Sequence, residues 1–112
     1  MTNLLALYRR PDGGDAAVET FEEAYTDTHL PLIARVPGLR RIHAQRVTRA
    51  LTESDLFLVT AMEFEDRAAL DAGLASDEMR AAARSLRDIG GTAISTLLIV
   101  EDAPDVVPEI GS

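Results

Sequence analysis

The chain has no cysteine and no lysine, and its aromatic content is small: two tyrosines, three phenylalanines and no tryptophan. Without cysteine there is no disulfide framework, no thiolate nucleophile and no sulfur-ligated zinc or iron–sulfur site. Without lysine there is no Schiff-base chemistry and no lysine general base. The two histidines stand 14 residues apart with no tight His/Asp/Glu cluster around them, so no metal site is expected. The longest apolar run in the C-terminal half, Leu97 to Val100, is far too short to cross a bilayer. The segment Met1-Thr2-Asn3-Leu4-Leu5 lacks a basic stretch followed by a long apolar run, so no signal peptide is expected and the expected location is the cytoplasm.

What is present is a single domain's worth of chain: 112 residues, 46% of them hydrophobic, enough for one core. All 11 basic residues are arginine, and against 19 acids they leave a formal net charge of −8. That balance argues against nucleic acid and anionic membranes as partners. Gly13-Gly14 lacks the Lys and Ser/Thr of a phosphate-binding loop, and Gly90-Gly91 reads the same way, so both are turns and no nucleotide or other cofactor signature is found.

Leu4 to Tyr8 is an apolar run stopped by Arg9-Arg10-Pro11-Asp12-Gly13-Gly14, and it reads as a first strand. Asp15 is placed to cap a helix whose buried face is Val18, Phe21, Tyr25, Leu32 and Val36, with Thr28 and His29 filling the gap. Pro31 interrupts that pattern and predicts a break, with a short second turn over residues 31 to 36 that Pro37-Gly38 ends. Leu39 to Val47 reads as a partly exposed strand, and Leu56 to Phe64 as a strand buried on both faces. Asp66 caps a helix over 67–74, and Ser76 caps another with the stripe Met79, Ala82, Ala83, Leu86 and Ile89. Ala93 to Val100 reads as a last buried strand. The domain is thus expected to span residues 1–102, with 103–112 a C-terminal tail.

Strand, helix, strand, strand, helix, strand is the split βαβ order, so the fold class is α+β: a ferredoxin-like four-stranded antiparallel sheet with helices on one face. Two helices cover one face only, so strands apolar on both sides call for a partner, and sheet-to-sheet homodimerisation into a barrel is the simplest one. Residues 37–52 carry Arg40, Arg41, Arg46 and Arg49 with no acid; residues 93–112 carry Glu101, Asp102, Asp105 and Glu109 with no base. If these are opposite sheet edges, a two-fold dimer sets unlike charges together; the alternative is two solvated edges that never meet.

Tyr8-Arg9-Arg10-Pro11, Phe21 and Tyr25, His29-Leu30-Pro31-Leu32 and Pro37-Gly38-Leu39 together resemble the EthD family, over roughly residues 3 to 102. The resemblance implies a dimeric α+β barrel with a small-molecule pocket. EthD proteins take their name from ethyl tert-butyl ether degradation, and related barrels include cofactor-free monooxygenases, isomerases, cyclases and haem-degrading enzymes. The residues beside Tyr25 and His29 are Thr26 and Thr28, where many relatives carry an aromatic or a second polar residue.

Tyr25 and His29 are four residues apart and so share a helix face. Apolar surroundings would keep the imidazole neutral and fit for proton transfer, which makes His29 and Tyr25 the candidate catalytic pair. The structural alternative is that His29 bonds the backbone freed by Pro31. Tyr8, Phe21, Phe57 and Met62 are candidate ligand-binding residues; Phe57 with Val59 is expected on one strand face, and Leu58, Met62 and Phe64 on the other. His43, between Arg41 and Gln45, reads as exposed or interfacial. Thr60 and Ser95 are polar positions in apolar strands. The function expected is a pocket for a small apolar organic molecule, belonging to a cofactor-free enzyme (isomerase, cyclase or monooxygenase type). The alternatives are a non-catalytic accessory protein of a degradation pathway, or haem binding through His29 or His43.

Overall fold

The computed structural model describes residues 1–111. Strand β1 (Thr2–Arg9) leads through the Pro11–Gly14 turn into α1 (Gly14–Ala24). The N-cap of α1 is Gly13, in left-handed conformation at φ 110°, and not Asp15. Asp15 sits inside the first turn instead, where it favours the helix dipole and pairs with Arg10 at 2.5 Å.

The helix does not break at Pro31. It passes into a π-helical turn, Tyr25–His29, and continues as α2 (Leu30–Ile33), with Pro31 in the first turn of α2. The Leu30 N–H donates to the Tyr25 carbonyl, five residues back, so the missing N–H of Pro31 falls where the ladder is already re-registered. An α-helix overshoots a full turn by about 40° every four residues. The π turn takes one more residue per turn and cancels that drift. Phe21, Tyr25, His29 and Ile33, each four apart, therefore all face inward and are all buried. This corrects the expected face: Ile33, not Leu32, is its fully buried continuation, and Thr28 is exposed.

After Gly38, whose φ of +81° ends the segment, come β2 (Leu39–Arg46), β3 (Leu56–Phe64), α3 (Arg67–Leu74), α4 (Asp77–Asp88), α5 (Gly91–Ile94) and β4 (Ser95–Glu101). The Asp66 and Ser76 side chains accept from Ala69 N and Met79 N and cap α3 and α4 as expected. The sheet order is β2-β3-β1-β4 with every pair antiparallel, the ferredoxin-like arrangement. The arginine-bearing β2 and the acid-ended β4 are opposite edges.

The registers define two faces. Leu4, Ala6, Tyr8, Leu58, Thr60, Met62 and Phe64 lie under the helices and are buried. On the other face a row runs His43, Ala61, Leu5, Leu98, flanked by Val59 and Leu7 and by Asn3 and Val100. No helix covers it. β3 is thus buried on one face and half-buried on the other, rather than buried on both. β4 is the larger correction: it begins at Ser95, and Leu97, Leu98, Ile99 and Val100 are 37–53% exposed. As an edge strand it has a neighbour on one side only, so its apolar residues lack cover in the single chain. Beyond β4, residues 103–111 form no strand or helix, and Val106, Val107 and Ile110 are exposed.

No helix among the described residues is long and apolar enough to cross a membrane.

Candidate functional site

The inward face of α1, the π turn and α2 lies on β1 and β3, and the aromatic side chains meet there. Tyr8 and Tyr25 pack edge to face with ring centroids 5.1 Å apart, Phe21 stacks on Tyr25 at 5.5 Å, and His29 lies 5.2 Å beyond Tyr25. The Tyr25 hydroxyl donates to Thr60 Oγ1 at 2.8 Å, which satisfies two buried polar groups at once. The Tyr8 hydroxyl interacts with that of Tyr25. Burial, foremost, and this contact push the Tyr8 phenol far above its ordinary range; Tyr25 is raised by burial too, against the opposing pull of its bonds to Thr60 and Tyr8. Both phenols are therefore protonated at any physiological pH.

His29 is 4% exposed. Burial pushes its pKa below the ordinary 6.5, opposed by the nearby Ala82 carbonyl of α4, so the imidazole is neutral. Its Nδ1 is buried without a hydrogen-bond partner. The imidazole faces Ala82 and not the carbonyls around Pro31, so the helix-locking role expected for His29 as the alternative is not what its contacts provide.

Beside His29 lies a cavity of about 70 Å³. Leu4, Tyr8 and Met62 wall it from the sheet, and Ile33 and Leu86 from the helices. Its open side is formed by Met79, Ala83 and the half-exposed Leu97. Apart from the imidazole and the Tyr8 ring the lining is apolar, with no cationic or anionic side chain.

The candidate residues are thus only partly brought together. His29, Tyr8 and Met62 share the cavity. Tyr25 supports the His29 ring from behind and lines a separate cleft of about 200 Å³, with Thr26, Leu30 and the Glu22–Arg46 ion pair (2.6 Å). Phe21 borders an open apolar groove with Ala16, Thr20 and Ile89 on the outer side of α1. Phe57 is not on the face expected for it. Tyr8 pairs with Leu58 but Arg9 with Leu56, so β3 bulges at Phe57. The bulge turns its ring under the helices, 5.8 Å from Phe21, where it is core and does not line the cavity beside His29. His43 is exposed, 3.3 Å from Arg41. Ser95 Oγ donates to the Thr92 carbonyl.

Ile33, Leu86 and Leu97 also line the cavity and were not singled out from the sequence. Leu86 stood in the recognised α4 stripe; Leu97 carried no signal beyond apolarity. A haem does not fit this site: the cavity is far smaller than the macrocycle, and His29 is enclosed. Among the described residues no group of three or more His, Asp or Glu is placed to hold a metal ion.

The sequence profile of the antibiotic biosynthesis monooxygenases matches residues 7–85. No curated protein matches the chain. Among solved structures, an EthD family protein from Bacillus halodurans C-125 is 30% identical, over 92% of this chain and 99% of that one, with a TM-score of 0.81. A dimeric ferredoxin-like protein of unknown function from Jannaschia sp. CCS1 is 21% identical, over 91% of this chain and 100% of that one, with a TM-score of 0.63. A dimeric ferredoxin-like protein of unknown function from Thermobifida fusca YX is 17% identical, over 88% of this chain and 86% of that one, at 0.57. The last two share the fold alone.

Proposed function

The chain belongs to the antibiotic biosynthesis monooxygenase family, and from that premise we propose that it takes a small apolar organic molecule into the cavity beside His29 and transforms it without a cofactor, as an isomerase, cyclase or monooxygenase does. One observation carries the reading: a buried, neutral imidazole in an apolar cavity wall, with Nδ1 left without a partner. Buried polar groups are normally satisfied, so an unsatisfied one on a cavity wall marks a place for a ligand. In this reading His29 accepts a proton from an acidic C–H or O–H of the bound molecule and returns it elsewhere on the same molecule. Tyr25, its hydroxyl engaged by Thr60, acts as a positioning residue that holds the imidazole ring. Tyr8 and Met62 shape the wall.

The likeness to the Bacillus halodurans EthD protein extends the proposal to a degradation pathway. It also supports the second reading, an accessory protein that binds such a molecule without turning it over. That reading is favoured by the scarcity of reactive groups: His29 is the one titratable group of the cavity wall that can exchange a proton near neutral pH.

The test is ligand-observed NMR on a library of small apolar compounds, wild type against His29→Gln, with each binder then incubated and its products sought by mass spectrometry. Binding and turnover that the substitution abolishes support the enzyme. Binding with no product supports the accessory role, and no binding at all overturns both.

We further propose that a second copy covers the bare sheet face, which sets apolar Leu5, Leu7, Leu98 and Val100 against their equivalents. The opposite charges of the β2 and β4 edges favour a two-fold that brings unlike edges together. Several of these arginines also have partners within the chain, as Arg41 has Glu63 at 3.7 Å, so charge adds orientation more than affinity. A monomeric mass by sedimentation at micromolar concentration would overturn the dimer.

A further inference from the structure

The proposed cavity also constrains the chemistry of what enters it, and the constraint comes from hydrogen-bond accounting at His29. A neutral imidazole carries one N–H and one lone pair. The Ala82 carbonyl is the polar group against the ring, and a carbonyl only accepts. Nδ1 is the nitrogen without a partner, so the N–H directed at that carbonyl is the one on Nε2, and in this tautomer Nδ1 presents the lone pair. Nδ1 is buried without a partner, and no side chain of the cavity wall brings a free donor. Of the two tyrosine hydroxyls near the ring, Tyr25 donates to Thr60 and Tyr8 interacts with Tyr25; the buried Ser85 hydroxyl of α4 has no partner but does not line the cavity.

We infer that the cavity beside His29 selects a neutral molecule, about one ring across at its buried end, that carries an O–H or N–H donor to the imidazole lone pair. This rests on the cavity being a ligand site. It excludes two classes that apolarity alone would admit. Carboxylates meet no cationic side chain in the lining and lose their hydration. Ethers, ketones and halides bring acceptors only and leave the lone pair unpaired in a low-dielectric wall. The open side at Met79 and Leu97 lets the rest of a longer molecule extend outward, and the flexible methionine accommodates it.

The test uses two probes of one shape. Phenol has the donor; fluorobenzene has the same ring and none. Titrating each into the full-length protein, followed by backbone amide NMR shifts at Ile33, Ala83 and Leu97, gives the two affinities. Phenol is expected to bind about tenfold more tightly, the worth of one net hydrogen bond in a buried site, although fluorobenzene is the more hydrophobic probe. His29→Phe is expected to remove the preference for phenol. Equal or tighter binding of fluorobenzene overturns the donor requirement and leaves the cavity reading standing. Binding of neither probe overturns both. If His29→Phe does not fold, the imidazole ¹⁵N shifts of the wild type take its place: phenol must move the unprotonated nitrogen, and no movement overturns the inference.

Discussion

The two faces of the sheet are cut from the same four strands, residue by residue in alternation, and they meet different surroundings. Under the helices, Tyr8, Thr60 and Phe64 are almost wholly enclosed. On the other side Leu98 and Val100 remain more than one-third exposed, although they are no less apolar. Pattern therefore says which side chains must leave water, and topology says what is there to receive them. The covered face is completed within one chain at β1 and β3, where Tyr25 and Thr60 satisfy each other, and is left open along the edge strand β4, where Leu97 and Ile99 are 53% and 49% exposed. The bare face is apolar through its middle, at Leu5, Leu7, Val59, Ala61, Leu98 and Val100, and polar along β2 and at Asn3, Glu63 and Thr96 towards the strand ends, which is how a face meant for a second surface looks.

Two substitutions separate the faces. Phe64→Ala empties a fully buried position and is expected to cost about 3–5 kcal/mol of folding stability, measured by urea denaturation. Leu98→Glu puts a carboxylate into the middle of the bare face. It is expected to weaken self-association by at least about thirtyfold, or about 2 kcal/mol at an interface centre. Sedimentation equilibrium reads that effect, while circular dichroism of the separated monomer stays native. If Leu98→Glu unfolds the chain, or leaves self-association unchanged, the contrast between the faces is wrong.

A finer break lies within the covered face. Thr60→Val keeps the shape and removes the acceptor of the Tyr25 hydroxyl, leaving a buried donor without that partner. The expected loss is about 1–3 kcal/mol. Adding Tyr25→Phe removes the stranded hydroxyl as well, so the double variant is expected to recover part of the loss, a non-additivity that a double-mutant cycle measures. Additive losses would mean that the bond does not organise the aromatic cluster under His29.

How much of this was legible in the residues differs from element to element. The order of strands and helices followed from apolar runs set between Gly, Pro and Asp signals, and Asp66 and Ser76 capped where their spacing said they would. His29 stood out as a polar residue within an apolar stripe. The π turn did not stand out, because an i to i+5 ladder has no composition of its own. Pro31 advertised a break, and the chain absorbed it without one. Phe57 was misplaced for a similar reason: a single bulged residue inverts the alternation, and nothing local marks it. The Tyr25–Thr60 bond joins positions 35 apart, and pairing across elements is invisible until the sheet and helix are docked. The exposed β4 was misread because hydrophobicity alone cannot distinguish a strand its own chain covers from one left for a partner.

The smallest expected effect is electrostatic, and it bears on the one group of the covered face that titrates near neutrality. Burial holds the native His29 pKa below the ordinary 6.5 that the unfolded chain shows. In the window between those two values the unfolded state binds more protons than the native state, so stability must fall as the pH drops. Above 6.5 both states hold a neutral imidazole and this contribution is fully present. It is lost progressively as the solution is acidified through the window and the native imidazole is forced to charge. Denaturation midpoints measured at pH 7.5, 6.5 and 5.5 are expected to decline, and His29→Gln, which cannot charge, is expected to decline less. If a ligand that donates to the imidazole occupies the cavity, it stabilises the neutral form and should make the wild-type decline steeper. An unchanged slope in His29→Gln would mean that the imidazole is hydrated, and the site would lose the feature that separates it from the bare face.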